Sequence, residues 1–166
     1  MRNKHKAAIA VMAVALAVAS LLVVPAAFAG DTQGQVFDPE GSFEKTIDNG
    51  KVGLSSGDEI VEIHTLLDPA DGSDAGTIYT EVGILRVIHG GDDLDITLSC
   101  TVVLPEGEIV FYGGLRFSEF FSAGGSTLPV TGGTGDFELA RGTVNIVGGE
   151  LNGASGATLT FDLTTT

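Results

Sequence analysis

The chain has 166 residues, with 22 acidic and 8 basic side chains and a formal net charge of −14. Three of the basic residues lie within the first six positions, so the remainder of the chain is even more acidic. Such a surface repels phosphate groups, which argues against nucleic-acid binding and against binding to anionic membranes. The single cysteine, Cys100, excludes an intrachain disulfide and a cysteine metal cluster.

The N-terminus has the order of a secretory signal peptide. Basic residues precede an uncharged apolar run from Ala7 to Val24, and Ala27-Phe28-Ala29 forms a cleavage triplet of the small-x-small type. Residues 1–29 are therefore predicted to be removed, which leaves a secreted, extracellular protein that begins at Gly30 and has no membrane segment. A retained membrane anchor is the alternative, because the apolar run reaches the lower length limit of a membrane-spanning helix.

Residues 30–57 are weakly patterned, because their few apolar side chains recur without a fixed period. We expect a loosely structured N-terminal arm there, with at most one short strand. The pattern sharpens from residue 58 onward, so residues 58–166 are predicted to form the folded domain.

That domain is predicted to be all-β. Apolar and polar residues alternate from Leu94 to Leu104 and again from Leu159 to Leu163, which is typical of strands with one buried face. The other strand-like segments are Glu59–Leu67, Thr77–His89, Glu108–Phe117, Leu128–Gly132 and Thr143–Val147. Only Asp136–Ala140 fits a helical turn. Short strands with close connections favour a closed antiparallel barrel, which leaves no exposed sheet edge.

Two of these segments, Glu59–Leu67 and Thr77–His89, carry apolar side chains on both faces. An apolar outer face is typical of a subunit interface, so we expect a homotrimer or a homodimer. The alternative is a sandwich in which a second sheet covers that face.

The sequence implies no metal and no organic cofactor. His64 and His89 lack the spacing of metal ligands, and Asp68, Asp71 and Asp74 do not match a calcium-binding loop. An acidic, solvated turn explains the three aspartates.

One stretch, from Val130 to Val144, is more specific than the rest. It contains the run Gly-Gly-Thr-Gly-Asp-Phe followed by Ala-Arg-Gly. This glycine-rich signature resembles that of the allene oxide cyclase and dirigent protein superfamily, and the order of strands over residues 58–163 is similar as well. The resemblance implies a calycin-like, eight-stranded antiparallel β-barrel, often trimeric, with a largely apolar cavity.

The resemblance also implies a catalytic pair. In the cyclases a Glu-Ile-Asn sequence on the first strand places a carboxylate and an amide inside the barrel, and Glu62-Ile63-His64 matches it here. The spacing of two puts Glu62 and His64 on the same strand face as Ile60 and Leu66, where they are suited to proton transfer. A surface pair is the alternative if that face points to solvent.

Further candidate ligand-binding residues are polar groups on the other strands and in the signature. Dirigent proteins orient their ligands with cavity Asp and Arg residues, and two such residues of the signature match this description. The candidates are Tyr79, Arg86, Tyr112, Asp136 and Arg141. For Arg141 a structural ion pair with Asp136 is the alternative.

These features together favour a barrel that binds a small apolar molecule and guides its cyclisation or isomerisation. Two alternatives remain open: a carrier that binds without catalysis, and a barrel filled by its own side chains that interacts through its acidic outer surface.

Overall fold

The computed structural model describes residues 32–50, 53–67, 73–88, 93–151 and 154–164. The predicted signal peptide, His89, Asp68 and Asp71 lie outside these ranges. None of the described helices is long and apolar enough to cross a membrane.

Eight antiparallel strands form a closed barrel in which each strand pairs with its neighbours in chain order and the last pairs with the first. The strands are β1 (Thr32–Ile47), β2 (Glu59–Leu67), β3 (Asp74–Ile88), β4 (Asp93–Leu104), β5 (Gly107–Arg116), β6 (Ser126–Gly133), β7 (Arg141–Leu151) and β8 (Ala154–Thr164). The prediction of an eight-stranded antiparallel barrel is therefore confirmed.

Strict alternation of burial accounts for the wall of the barrel. In β2 and β4 every second side chain is buried and the residues between them are partly exposed. In β4 this burial follows the alternation of apolar and polar residues in the sequence. The inward side chains are mostly Ile, Leu, Val and Phe, which pack into one core. Phe111 and Phe161 meet edge to face near its centre, with ring centroids 6.0 Å apart.

The predicted N-terminal arm is wrong for residues 32–47, because these residues form β1. This strand pairs with both β2 and β8 and so closes the barrel. Its register shifts between Asp38 and Phe43, where the segment Pro39–Ser42 is inserted. Such an irregularity breaks the period of two, which is why the sequence pattern hides the strand.

Two short helical segments sit at the ends of strands. The helix α1 (Phe117–Phe120) connects β5 to β6, where the sequence predicted only the end of a strand. A 3-10 turn at Gly135–Phe137 overlaps the predicted helical turn and leads into β7. Each segment carries a buried phenylalanine toward the core: Phe120 from α1 and Phe137 from the 3-10 turn.

Candidate functional site

The second strand points a carboxylate and an imidazole into the barrel. Glu62 and His64 lie on the buried face of β2 with exposed fractions of 2% and 4%, and the apolar residues Ile60 and Leu66 flank them on the same face. The Nε2 atom of His64 lies 3.6 Å from the Oε2 atom of Glu62. The structure thus places this pair in the interior and not on the surface.

The carboxylate of Glu62 is incompletely satisfied. Its Oε2 atom is buried and forms no hydrogen bond within the part of the chain that the structure describes. A buried carboxylate oxygen that lacks a hydrogen bond costs several kcal/mol of folding free energy. An apolar side chain at position 62 would avoid this cost.

Polar side chains from neighbouring strands extend the site along one row. Register pairs Glu44 of β1 with Glu62, Glu62 with Thr80 of β3, and Thr80 with Cys100 of β4. Residues paired in this way point to the same side of a sheet. The row therefore leads from the edge of the interior at Glu44 to its centre at Cys100.

Burial and the charge of Glu62 both change the pKa of the thiol at the inner end of this row. The pKa of the Cys100 thiol is raised to about 12, mainly by burial. The charge of Glu62 adds to this increase, and a hydrogen bond with Thr80 partly offsets it. The Oγ1 atom of Thr80 and the Sγ atom of Cys100 are 3.6 Å apart. The prediction that Cys100 is a buried core thiol is confirmed.

Glu44 is a candidate that the sequence reasoning missed, because β1 itself was not predicted. Partial burial raises the pKa of Glu44, the negative charge of Glu62 raises it further, and His64 lowers it. The residue is exposed, unlike Glu62 and His64. Glu44 therefore lies within electrostatic reach of the buried pair, at the solvent-exposed end of the row.

A small cavity adjoins the row. It has a volume of about 20 Å³ and includes Thr80 and Cys100 in its wall. The rest of the wall is apolar and consists of Ile78, Leu98, Phe111, Phe120, Ile146, Ala157 and Leu159. A volume of about 15 Å³ holds one water molecule, whereas pockets for organic ligands measure about 300–1,000 Å³. In this conformation the cavity is too small for an organic ligand.

Comparison with known proteins finds similarity in structure only, since no protein-family model and no curated protein sequence matches this chain. A pyocyanin demethylase superposes with a TM-score of 0.63 at 21% identity, over 81% of this chain and 100% of its own. The Diels-Alderase AbmU from Streptomyces koyangensis gives 0.57 at 15%, over 79% and 67%. The pterocarpan synthase dirigent protein GePTS1 gives 0.61 at 14%, over 86% and 97%. This chain has the dirigent-type barrel fold.

The resemblance inferred from the signature is confirmed at the level of the fold. Within the dirigent-type barrel the signature closes one end through its backbone. The backbone N–H of Thr134 donates to the carbonyl of Glu108, and that of Asp136 donates to the carbonyl of Glu106, each at 3.0 Å. Phe137 is then fully buried under this turn.

Three of the predicted ligand-binding residues do not face the interior. Tyr79 and Tyr112 are about half exposed, because they alternate with the inward residues of β3 and β5. Arg86 follows a register shift in β3, is 66% exposed and pairs with Asp95 of β4. The prediction that these side chains line the cavity is wrong.

The two predicted residues of the signature also lie outside the interior. Asp136 and Arg141 are exposed at the closed end of the dirigent-type barrel. The Nη1 atom of Arg141 donates a hydrogen bond of 2.6 Å to the carbonyl of Ala140. Among the described residues no ion pair joins Arg141 to Asp136, so the cavity role and the alternative ion pair are both wrong.

Metal ligands are not gathered at this site. Across the described ranges no three His, Cys, Asp or Glu side chains come together in a way that could hold a metal ion. The polar groups of the row and of the buried pair are two carboxylates, an imidazole, a hydroxyl and a thiol.

Proposed function

We propose that this protein binds a small, mostly apolar organic molecule inside the barrel and guides its cyclisation or isomerisation, with Glu62 and His64 as the acid–base pair. The observation that carries this proposal is the burial of both side chains, 3.6 Å apart, in an otherwise apolar interior. Proton transfer between such groups contributes about 10²–10⁴-fold to a rate.

The chemistry needs no external reagent. One member of the pair removes a proton from the ligand while the other delivers a proton to a second atom of the same ligand. The ligand gains and loses one proton and no electrons, so the net change is an isomerisation. The apolar wall contributes by holding the ligand in a reactive conformation.

The structural neighbours support this assignment by analogy. A Diels-Alderase, a demethylase and a pterocarpan synthase dirigent protein, as their names describe them, all act on small organic molecules with a barrel of this fold. A fold hosts many functions, so the weight rests on the buried pair of this chain.

Two variants test the proposal. Native mass spectrometry of protein purified from the producing host identifies a co-purified molecule, and its conversion is then followed with the Glu62→Gln and Glu81→Gln variants. Glu81 lies on the exposed face of β3 and is the matched control. We expect Glu62→Gln to lose conversion and keep its fold, and Glu81→Gln to behave as the wild type. Equal conversion by both variants would contradict the proposal.

The small cavity favours a second candidate, a barrel filled by its own side chains that acts through its outer surface. A volume of about 20 Å³ suits this reading directly. A filled barrel gives no role to the buried carboxylate of Glu62, so this function is the second candidate. Wild-type protein without any co-purified molecule, together with a more stable and fully functional Glu62→Gln variant, would favour it.

We also propose that the protein is secreted and that it assembles as a homotrimer or a homodimer. An outer row of partly or largely exposed residues runs across five strands and is apolar or aromatic except on β4: Phe43, Ile63, Tyr79, Thr101 and Val110. Exposed apolar rows of this kind are typical of interfaces. N-terminal sequencing should give Gly30, and sedimentation velocity should show that Tyr79→Glu shifts an oligomer to monomer.

A further inference from the structure

One phenylalanine in the cavity wall comes from outside the barrel strands. Phe120 is 4% exposed and forms part of the cavity wall. Every other wall residue belongs to a strand, whereas Phe120 belongs to the four-residue helix α1. The ring of Phe120, which we call the Phe120 plug, is therefore the part of this wall that the strands do not supply.

A glycine on β7 makes room for the plug. A Cβ atom on Gly148 would lie 2.6 Å from both Cδ1 and Cε1 of Phe120 and 2.8 Å from Cδ1 of Phe121. Carbon atoms pack at about 3.5–4.0 Å. The ring can occupy its present place only because position 148 has no side chain.

The helix that carries the plug is held by few bonds. Arg116, the residue before the first turn of α1, makes no side-chain cap. The backbone N–H and the hydroxyl of Ser118 both donate to the carboxylate of Asp93, at 3.0 and 2.8 Å. Beyond the helix, Asn145 donates to the carbonyl of Gly124 at 3.0 Å. A helix this short has little stability of its own, so these contacts decide its position.

We propose that the Phe120 plug occupies the ligand's subsite, and that a neutral or cationic molecule with a flat, ring-sized apolar group and a hydrogen-bond donor displaces it. This inference rests on the proposed function. The ring defines the shape, because its departure leaves a slot of one phenyl group continuous with the existing cavity. The hydroxyl of Thr80 in the cavity wall, and the carboxylate of Glu62 beside it on the neighbouring strand, define the polar end. An anion is disfavoured, because Glu62 and the acidic surface repel it.

The test compares three single variants with β-naphthol as the probe. Gly148→Ala pushes the ring out of its place, and Phe120→Ala removes it. Phe121→Ala is the control, because it removes a neighbouring ring of the same cluster that does not form part of the cavity wall. Thermal unfolding establishes that each variant is folded, and probe fluorescence measures binding.

We expect Gly148→Ala and Phe120→Ala to bind β-naphthol at least about tenfold more tightly than wild type, since the closed state no longer competes. Phe121→Ala should bind as wild type does. Folded Gly148→Ala and Phe120→Ala proteins that bind no more tightly than Phe121→Ala would overturn the inference.

A measurement on the wild type covers the case in which both variants fail to fold. Nuclear Overhauser contacts from the Phe120 ring to the methyl groups of Leu98 and Ile146 should disappear at high β-naphthol concentration. Their persistence would overturn the inference.

The proposed function is tested separately by adding Glu62→Gln to Gly148→Ala. Tight binding that the second substitution leaves unchanged would support the plug and contradict the role of Glu62. Tight binding that it weakens would support both.

Discussion

The two ends of the barrel are each closed by a buried phenylalanine, but they are built in different ways. At the end formed by the glycine-rich signature, Phe137 is held by backbone packing. At the other end, Phe120 is held by side-chain hydrogen bonds to a four-residue helix. Backbone packing therefore holds the Phe137 end, whereas a few side-chain hydrogen bonds hold the helix that carries Phe120.

Backbone packing at the Phe137 end leaves no space for a side chain at two of its glycines. Gly107 and Gly135 both have positive φ angles, of 146° and 58°. A Cβ atom on Gly107 would lie 2.1 Å from the carbonyl oxygen of Thr134, and one on Gly135 would lie 2.3 Å from that of Glu106. The part of the sequence that is easiest to recognise therefore closes one end of the barrel.

The largest expected effect is at Gly135. Gly135→Ala combines an unfavourable φ with a backbone clash and should cost about 5 kcal/mol of unfolding free energy, enough to abolish the fold. Gly132→Ala in the same signature is the control, because no atom lies within 4 Å of its Cβ position. Denaturant unfolding measures both variants. A small loss at Gly135 would show that the closed end is less rigid than this comparison holds.

Replacing each of the two phenylalanines with alanine should lower the free energy of unfolding by different amounts. Phe137→Ala leaves a void in a rigid wall and should lose about 4 kcal/mol. Phe120→Ala should lose about 2 kcal/mol, because α1 can relax into the space. Equal losses in denaturant unfolding would remove the distinction between the two ends.

Cys100 reports which end opens, since its thiol lies in the cavity wall. The pKa of about 12 keeps this thiol protonated near neutral pH, so a thiol reagent should label the wild type slowly. Gly148→Ala should raise the labelling rate by about tenfold, because it opens the Phe120 end. An unchanged rate in a folded Gly148→Ala variant would place the opening elsewhere.

The smallest expected effect concerns the bond that holds α1. Partial burial raises the pKa of Asp93, but hydrogen bonds from Ser118 and Leu94 and the charge of Arg116 outweigh it and hold this pKa below its ordinary value. The ionised Asp93 therefore stabilises the folded state fully above the ordinary pKa of a carboxyl group. This stabilisation is lost as the pH falls through the lowered pKa of Asp93.

Ser118→Ala should therefore lower the free energy of unfolding by about 1 kcal/mol at neutral pH. It should also weaken the loss of stability at acidic pH that arises from Asp93. Hydrogen exchange of residues 117–125 should accelerate in this variant and remain unchanged in Ser122→Ala. Unchanged exchange in Ser118→Ala would show that other contacts hold the helix.

Sequence reasoning reached the strands through their period of two, and it reached the catalytic candidates through the resemblance of Glu62-Ile63-His64 to the first strand of the cyclases. The bounds of β2 and the shared inward face of Glu62 and His64 follow from alternation within one segment. Tyr79 and Tyr112 were misplaced because their chemical type was weighed without their position in the same alternation. Glu44 could not be predicted, since it lies on a strand whose alternation is broken by an inserted segment. The Phe120 plug could not be predicted either, since it lies on a helix only four residues long.

The central claim is that Glu62 is a buried base that a ligand reaches once the Phe120 end opens. Nitrobenzisoxazole tests it directly, because a desolvated carboxylate removes the proton from its ring carbon, the N–O bond breaks and a coloured cyanophenolate is released. The Phe120→Ala variant should catalyse this elimination at least about a hundredfold faster than the Phe120→Ala, Glu62→Gln double variant. Equal rates for the two folded proteins would contradict the claim.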